Sequence, residues 1–113
     1  MEINESDSIL LSISKMVDVT DLDTFKTDLL TTINMCFAFC NQYGCGPDDG
    51  FEITGESETW ADYECKSITH KNMAKGYIFT KTKLTFDPPQ SGPMLTALQK
   101  QLDEYAWYIT NCR

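Results

Sequence analysis

The sequence predicts a mainly α fold: a small four-helix bundle with a long irregular segment or a short β-hairpin between helices 2 and 3. Three observations support this fold class. Apolar residues recur at helical spacing in four segments of the chain. The run that ends at Phe86 is stopped by Pro88 and Pro89, which cannot donate backbone hydrogen bonds, and a new helix start follows at Ser91. Residues 44–51, with three glycines and a proline, interrupt the chain in the same way.

The first helix is predicted over about residues 5–17. Its apolar positions between Ile9 and Val17 form one helical stripe, and Asn4 can cap its N-terminus. The segment 18–21 is predicted to be a short polar turn.

The second helix is predicted from about Asp21 to Gln42, with a stripe of apolar residues on one face. That stripe comprises Phe25, Leu29, Ile33, Cys36, Phe37 and Cys40. Further apolar side chains, including Phe39, lie off the stripe, so this helix is either central or in contact with a neighbouring molecule. Gly44 is predicted to end it in the left-handed conformation.

Residues 45–66 are predicted to be irregular or weakly β. Residues 51–54 alternate between apolar and polar, and 58–60 could return as a second short strand. Such a hairpin is marginal alone, so it would have to pack on the helices, with Trp60 as its anchor.

The third helix is predicted over about 67–86, although residues 77–86 are rich in β-branched and aromatic residues and also suit a strand. Continuity with the preceding residues favours the helix. The fourth helix, about 92–111, begins with Pro93 in its first turn. Its stripe consists of Met94, Leu95, Leu98, Leu102, Tyr105 and Ile109.

Length and composition limit the possible function classes. A chain of 113 residues predicts a single domain, 1–113, and a hydrophobic content of 42% supports a real core. No apolar run is long enough for a membrane span, and the N-terminus lacks the pattern of a secretory signal. A net charge of −8 argues against a DNA clamp, because affinity for phosphate comes mainly from Lys and Arg.

The sequence predicts no catalytic residues, no metal ligands and no cofactor. An odd number of cysteines, five, is typical of reduced thiols in a cytosol. Cys36, Cys40, Cys45, Cys65 and His70 are chemically fit for zinc, but no Cys-x2-Cys pair is present, so buried thiols are the favoured interpretation.

Aromatic residues make up 12% of the chain, which is many for so small a core. Exposed aromatic residues on a folded protomer mark a protein interface, where Trp and Tyr are enriched. Phe39, Phe79 and Trp107 are candidates because each lies off the main stripe of its helix.

The order of these elements resembles the head–tail connector (adaptor) proteins of tailed bacteriophages. The resemblance extends from about Ser8 to Trp107, and its more specific parts are the loop 46–51 and the stop at 86–89. It also includes Asn41-Gln42-Tyr43-Gly44, Thr59-Trp60, Tyr77-Ile78-Phe79-Thr80-Lys81, and a final helix with Leu102 and Trp107. The cysteines are a departure from the family pattern.

The resemblance implies a structural protein without catalytic activity. Protomers would form a homo-oligomeric ring, typically a dodecamer, beneath the portal protein and above a stopper or tail-completion protein. DNA would pass through the centre without sequence-specific binding. The protein would assemble in the host bacterial cytoplasm, without a membrane, and reside in the virion neck.

Candidate interface residues are drawn from the loops and from off-stripe aromatic positions. They are Phe39, Tyr43, Gly46, Pro47, Phe51, Trp60, Phe79, Pro88, Pro89 and Trp107. The long segment 44–66 is predicted to face a neighbouring subunit or the portal, since long loops in compact domains are usually functional. The alternative function is a small phage-encoded regulatory or inhibitory protein-binding module, and a cysteine or metal enzyme is the third hypothesis.

Overall fold

A computed structural model describes residues 6–17, 22–47, 49–86 and 88–111. The described residues form four α-helices: α1 (Ile9–Met16), α2 (Leu22–Gln42), α3 (Ile68–Phe86) and α4 (Gly92–Asn111). A short 3-10 helix, Trp60–Asp62, lies between α2 and α3. The predicted four-helix architecture is confirmed, and the bounds of α2, α3 and α4 agree with the prediction to within about one residue of the described chain.

Helix α3 is the centre of the bundle. It packs most extensively against α4, then against α2, and α1 closes one end by contacting both α2 and α3. The fully buried side chains come from every helix and from the segment between α2 and α3. The largest of them are Trp60, Tyr63, Phe37, Ile9, Leu10, Ile13, Leu29, Ile33, Ile53, Ile78, Ile109 and Val17.

Helix α1 begins later than predicted. The side chain of Ser8 accepts a hydrogen bond from the backbone N–H of Leu11 (3.3 Å), so Ser8 is the N-cap. The predicted cap, Asn4, lies outside the described residues. Ser8 has an extended backbone and also forms an isolated antiparallel bridge with Thr59.

Of the two alternatives predicted for the segment between α2 and α3, the irregular one is found and the β-hairpin is not, and the described residues contain no strand. The backbone groups that would have paired across the hairpin bind other partners. Asn34 of α2 accepts a hydrogen bond from the N–H of Ile53 (2.7 Å) and donates one to its carbonyl oxygen (2.9 Å). The carboxylate of Glu58 accepts hydrogen bonds from the N–H and hydroxyl of Thr54 (3.1 and 2.8 Å). Side chains therefore replace the strand ladder.

Trp60 anchors this segment, as the sequence predicted. Its side chain is 0% exposed, and its indole N–H donates to the hydroxyl of Ser12 on α1 (2.9 Å). Two lysines of α3 also contact it: the Lys71 ammonium donates to the Trp60 carbonyl oxygen (3.1 Å), and Lys75 lies 5.3 Å from the ring centroid. These two lysines therefore help to fix the segment that carries Trp60 against α3.

Helix α2 ends in a Schellman motif. Gly44 has φ of 90°, as predicted, and donates to the carbonyl of Asn41 (3.0 Å), while the N–H of Cys45 donates to that of Cys40 (2.8 Å). Gly46 also has positive φ, and a Cβ there would lie 2.8 Å from the Tyr63 ring. Only glycine allows the chain to turn this closely over Tyr63.

Residues 77–86, which also suited a strand, are helical. Two threonines in this part of α3 satisfy their hydroxyls within the helix, because Thr82 donates to the carbonyl of Ile78 (2.7 Å) and Thr85 to that of Lys81 (3.0 Å). Burial of Tyr77 and Ile78 against the core then outweighs the weak β preference of the segment.

Candidate interface surface

The four cysteines in the part of the chain that the structure describes, Cys36, Cys40, Cys45 and Cys65, are free thiols. No group of three or more His, Cys, Asp or Glu side chains is placed to hold a metal within the described ranges. Burial raises the pKa of Cys36 to about 12 and also raises that of Cys40, so both are unreactive core thiols. His70 is buried, and its Nδ1 lies 3.1 Å from the Ser67 hydroxyl. Cys45 contacts the backbone oxygen of His70 (3.5 Å), a group that cannot act as a base.

The ten predicted interface residues fall into three groups by exposure. Phe39, Pro88 and Trp107 are exposed, and Trp60 is fully buried. The half-buried group consists of Tyr43, Gly46, Pro47, Phe51, Phe79 and Pro89. Phe39 and Trp107 therefore present surface to a partner in this conformation, whereas Trp60 presents none.

Some of the half-buried aromatic residues support the loop. The rings of Phe37, Phe51 and Tyr63 form a cluster with centroid separations of 4.7 to 5.2 Å. Tyr43 packs edge-on against Tyr77 of α3, with centroids 6.4 Å apart. These contacts join the segment after α2 to the core.

Helix α2 has an exposed apolar flank beside its buried stripe. Phe25, Met35 and Phe39 are 42, 47 and 37% exposed, and at about 100° per residue they lie within an arc of roughly 80°. We call these three residues the α2 flank. Phe25 was predicted to be part of the buried stripe, but the helices that cover α2 leave this edge open. The apolar face of α2 is thus wider than the part of it that the other helices of the protomer cover.

Helix α4 has a second exposed aromatic surface. Trp107 is 60% exposed and Tyr108 is 44% exposed, and their rings meet edge-on with centroids 5.2 Å apart. We call this pair the α4 flank. At helical spacing, Trp107 lies about 160° around α4 from the buried Ile109, so it faces away from the bundle. Its position off the stripe was the signal that identified it from the sequence.

The two flanks lie on different helices of the bundle. Helix α3 packs extensively on both α2 and α4, whereas α2 and α4 barely meet. The α2 flank and the α4 flank therefore belong to helices that are joined through α3. One protomer consequently offers two distinct apolar patches rather than one.

A groove between α3 and α4 depends on a residue that the sequence analysis missed. The groove has a volume of about 270 Å³, and Gly76, Phe79, Leu98 and Tyr105 are among its lining residues. A Cβ at Gly76 would lie 2.5 Å from the Tyr105 ring, so glycine is required for the helices to approach this closely. A glycine inside a helix pattern was the available signal, because it is costly there unless packing requires it.

The family comparison decides the class of protein. A family model described as "Phage connector protein" matches residues 9–113. The chain belongs to the phage connector protein family. The resemblance found in the sequence is thereby confirmed. The chain, called the connector below, is a head–tail connector protein of phage, from a structural family. Searches of curated proteins and of solved structures found no match to the connector.

The family and the helices bear on where the connector is located. Membership of a phage connector family indicates a virion component. None of the helices in the described residues has the combination of length and apolar character that crossing a membrane requires.

Proposed function

We propose that the connector forms a ring, a dodecamer, between the portal protein and a stopper or tail-completion protein in the virion neck, with DNA passing through its centre. The observation that carries the proposal is the pair of exposed apolar flanks, one on α2 and one on α4, in a chain of this family. A cyclic assembly needs two different patches on each subunit, because one face of a subunit meets the opposite face of its neighbour.

In the proposed ring, the α2 flank of one protomer packs against the α4 flank of the next. The flanks supply Phe39 on one side and Trp107 on the other, and large aromatic side chains are typical centres of binding energy at interfaces. Trp107 and Tyr108 already contact each other in the protomer, so the α4 flank loses little side-chain freedom on association.

The charge of the connector supports passage of DNA without capture. The net charge is −8, and phosphate contacts from Lys and Arg are the main source of nonspecific DNA affinity. Of the basic side chains on α3, Lys71 and Lys75 are engaged with Trp60 inside the protomer. An acidic wall repels the DNA backbone over a Debye length of about 8 Å at physiological salt.

Ring formation is proposed to need the portal as a template. The isolated flanks are small, so the purified connector is expected to be monomeric or weakly associated. The segment 44–66 is the proposed contact with a neighbouring subunit or with the portal. Its backbone is held by Asn34, Glu58 and Trp60, so it presents a preformed surface.

A mixing experiment with two single variants tests the head-to-tail arrangement. Phe39→Asp removes one flank and Trp107→Asp removes the other, and Met94→Asp is a control, since Met94 is 60% exposed on α4 but outside both flanks. Each variant is incubated with purified portal rings of the same phage, alone or mixed, and the complexes are imaged by electron microscopy. Circular dichroism establishes that each variant is folded.

The expected results differ for each sample. Wild-type connector and Met94→Asp should form closed rings of twelve on the portal, and neither flank variant alone should do so. An equal mixture of the flank variants should give connector pairs at most, because each pair keeps only one intact interface. Closed rings from either variant alone would refute the proposed interface. Absence of the connector from the neck of mature particles would refute the structural role and favour a regulatory module.

A further inference from the structure

Two cysteines outside the helices lie side by side. The Sγ atoms of Cys45 and Cys65 are 3.6 Å apart, although the residues are twenty positions apart in the sequence. Cys45 follows the turn that ends α2, and Cys65 precedes α3. The Tyr63 hydroxyl also lies 3.6 Å from the Cys45 sulfur, so it can donate a hydrogen bond to that atom. The arrangement is a thiol pair with a third polar group aimed at one sulfur.

The surroundings distinguish these two thiols from the other buried cysteines. Hydrogen bonds from Cys65 and from Tyr63 favour the thiolate of Cys45 and lower its pKa to about 7, despite the opposing effect of burial. The pKa of Cys65 is raised, because its hydrogen bond to Cys45 holds the proton between the two sulfurs. Near neutral pH, the pair therefore contains a substantial fraction of one thiolate beside one thiol.

We propose that Cys45 and Cys65 are a redox couple that hydrogen peroxide oxidises to an intrachain disulfide, which covalently closes the segment between α2 and α3. A disulfide has an S–S length of about 2.05 Å, so the sulfurs must approach by roughly 1.5 Å. Both residues lie outside the four helices, so this approach requires no helix to change its backbone.

The reaction has two balanced steps. The Cys45 thiolate attacks one oxygen of the peroxide, the O–O bond breaks, hydroxide leaves, and Cys45 becomes a sulfenic acid. The Cys65 sulfur then attacks the Cys45 sulfur, the S–O bond breaks, and the hydroxide that leaves takes the Cys65 proton to form water. In total, the two thiols lose two electrons and two protons, and one peroxide molecule is reduced to two waters.

The small size of the oxidant matters for access. Cys45 is 2% exposed, whereas Cys65 is half-buried, so a molecule little larger than water reaches the pair more readily than a bulky disulfide does. The chemistry belongs to the isolated protomer and does not depend on ring formation. The time at which the disulfide forms does rest on the proposed function, because a virion protein assembled in a reducing cytoplasm would form it only after release from the cell.

Peptide mapping of the full chain tests the proposal. The wild-type connector is treated with stoichiometric peroxide, alkylated, denatured and digested with chymotrypsin without reduction. Cleavage after Phe39, Tyr43, Phe51 and Tyr63 places Cys40, Cys45 and Cys65 in separate peptides, so each disulfide partner can be identified by mass spectrometry.

The expected product is a cross-linked peptide pair that contains Cys45 and Cys65, with the intact chain lighter by two hydrogens. Cys65→Ser should abolish this loss and leave oxygen-adduct masses on Cys45, and Cys112→Ser should retain the loss, which excludes a contribution from the C-terminal thiol. A link from Cys45 to Cys40, or two free thiols after peroxide treatment, would overturn the proposal. If Cys65→Ser does not fold, the wild-type peptide map alone decides.

Discussion

The close approach of α3 and α4 at Gly76 makes a prediction that a double-mutant cycle can test. Gly76→Ala adds one methyl group, and its Cβ would lie 2.5 Å from Cζ and 2.7 Å from Cε1 of Tyr105. Ordinary contacts of a Cβ are 3.4–4 Å, so the ring must move by about 1 Å. Tyr105 is half-buried, and its hydroxyl accepts a hydrogen bond from Gln101 (3.2 Å), so this movement disturbs both packing and a side-chain contact.

Two effects of opposite sign determine the free energy of unfolding. Replacing glycine with alanine inside a helix stabilises it by about 0.8–1 kcal/mol. Overpacking at a helix–helix contact costs about 1–3 kcal/mol. We therefore expect Gly76→Ala to destabilise the protomer by roughly 0–2 kcal/mol in the wild-type background. In a Tyr105→Ala background the clash is gone, and the same substitution should stabilise the protein by about 1 kcal/mol.

Urea unfolding of the four proteins in this double-mutant cycle measures the coupling between the two positions. A coupling energy of about 1–3 kcal/mol is expected. Gly92→Ala is the matched control, because Gly92 begins α4 and has open space where its Cβ would lie. It should show no coupling to Tyr105. A coupling energy below about 0.5 kcal/mol for Gly76 would refute the claim that this glycine exists to admit the tyrosine ring.

Two further predictions concern the segment after α2 and the buried thiols. Asn34→Ala removes both hydrogen bonds to Ile53 and should lower the free energy of unfolding by about 1–3 kcal/mol, measured with urea, and a loss below the error of the measurement would contradict this role. The raised pKa of Cys36, about 12, predicts stability that is fully present below pH 9 and is lost as the pH rises toward 12, because only the unfolded chain ionises readily in that range. The loss attributable to Cys36 is about 2 kcal/mol between pH 9 and 10.5, and Cys36→Ala should show a correspondingly smaller slope of stability against pH. Equal slopes in both proteins would contradict a neutral buried thiol.

The helices could be predicted from the sequence because their signals are local. The spacing of apolar residues predicts which faces of α2 and α4 are buried. Gly44 ends α2 and Pro88 and Pro89 end α3 through effects on the residues next to them. The exposed end of the α4 stripe is an exception. Met94 lies on the predicted stripe, yet it is 60% exposed.

An irregular segment between α2 and α3 was one of two predicted alternatives, but its contacts could not be predicted because its partners are distant in the sequence. Alternation over 51–54 suggested a strand, but Ile53 pairs with the side chain of Asn34, nineteen residues earlier. Trp60 finds its hydrogen-bond partner at Ser12, forty-eight residues earlier. Nothing in the sequence around Asn34 indicates that its side chain will pair with a distant backbone in place of a neighbouring strand.

The candidate interface was predictable only in part, for a similar reason. Phe39 and Trp107 lie off their stripes, and both are exposed. The same rule selected Phe79, which is half-buried because α4 covers it across the Gly76 groove. Exposure depends on which neighbour covers a helix face, and that information comes from the packing of α3 rather than from the periodicity of any single helix.

The way the long segment is fixed bears directly on assembly. A loop that orders only on binding must lose conformational entropy at that moment, about 1–2 kcal/mol for each residue fixed. Here Asn34, Glu58 and Trp60 already hold the backbone through hydrogen bonds within the protomer. The templated ring that we propose would gain from every contact without first ordering these residues, so small flanks would be enough once the portal had brought neighbours together.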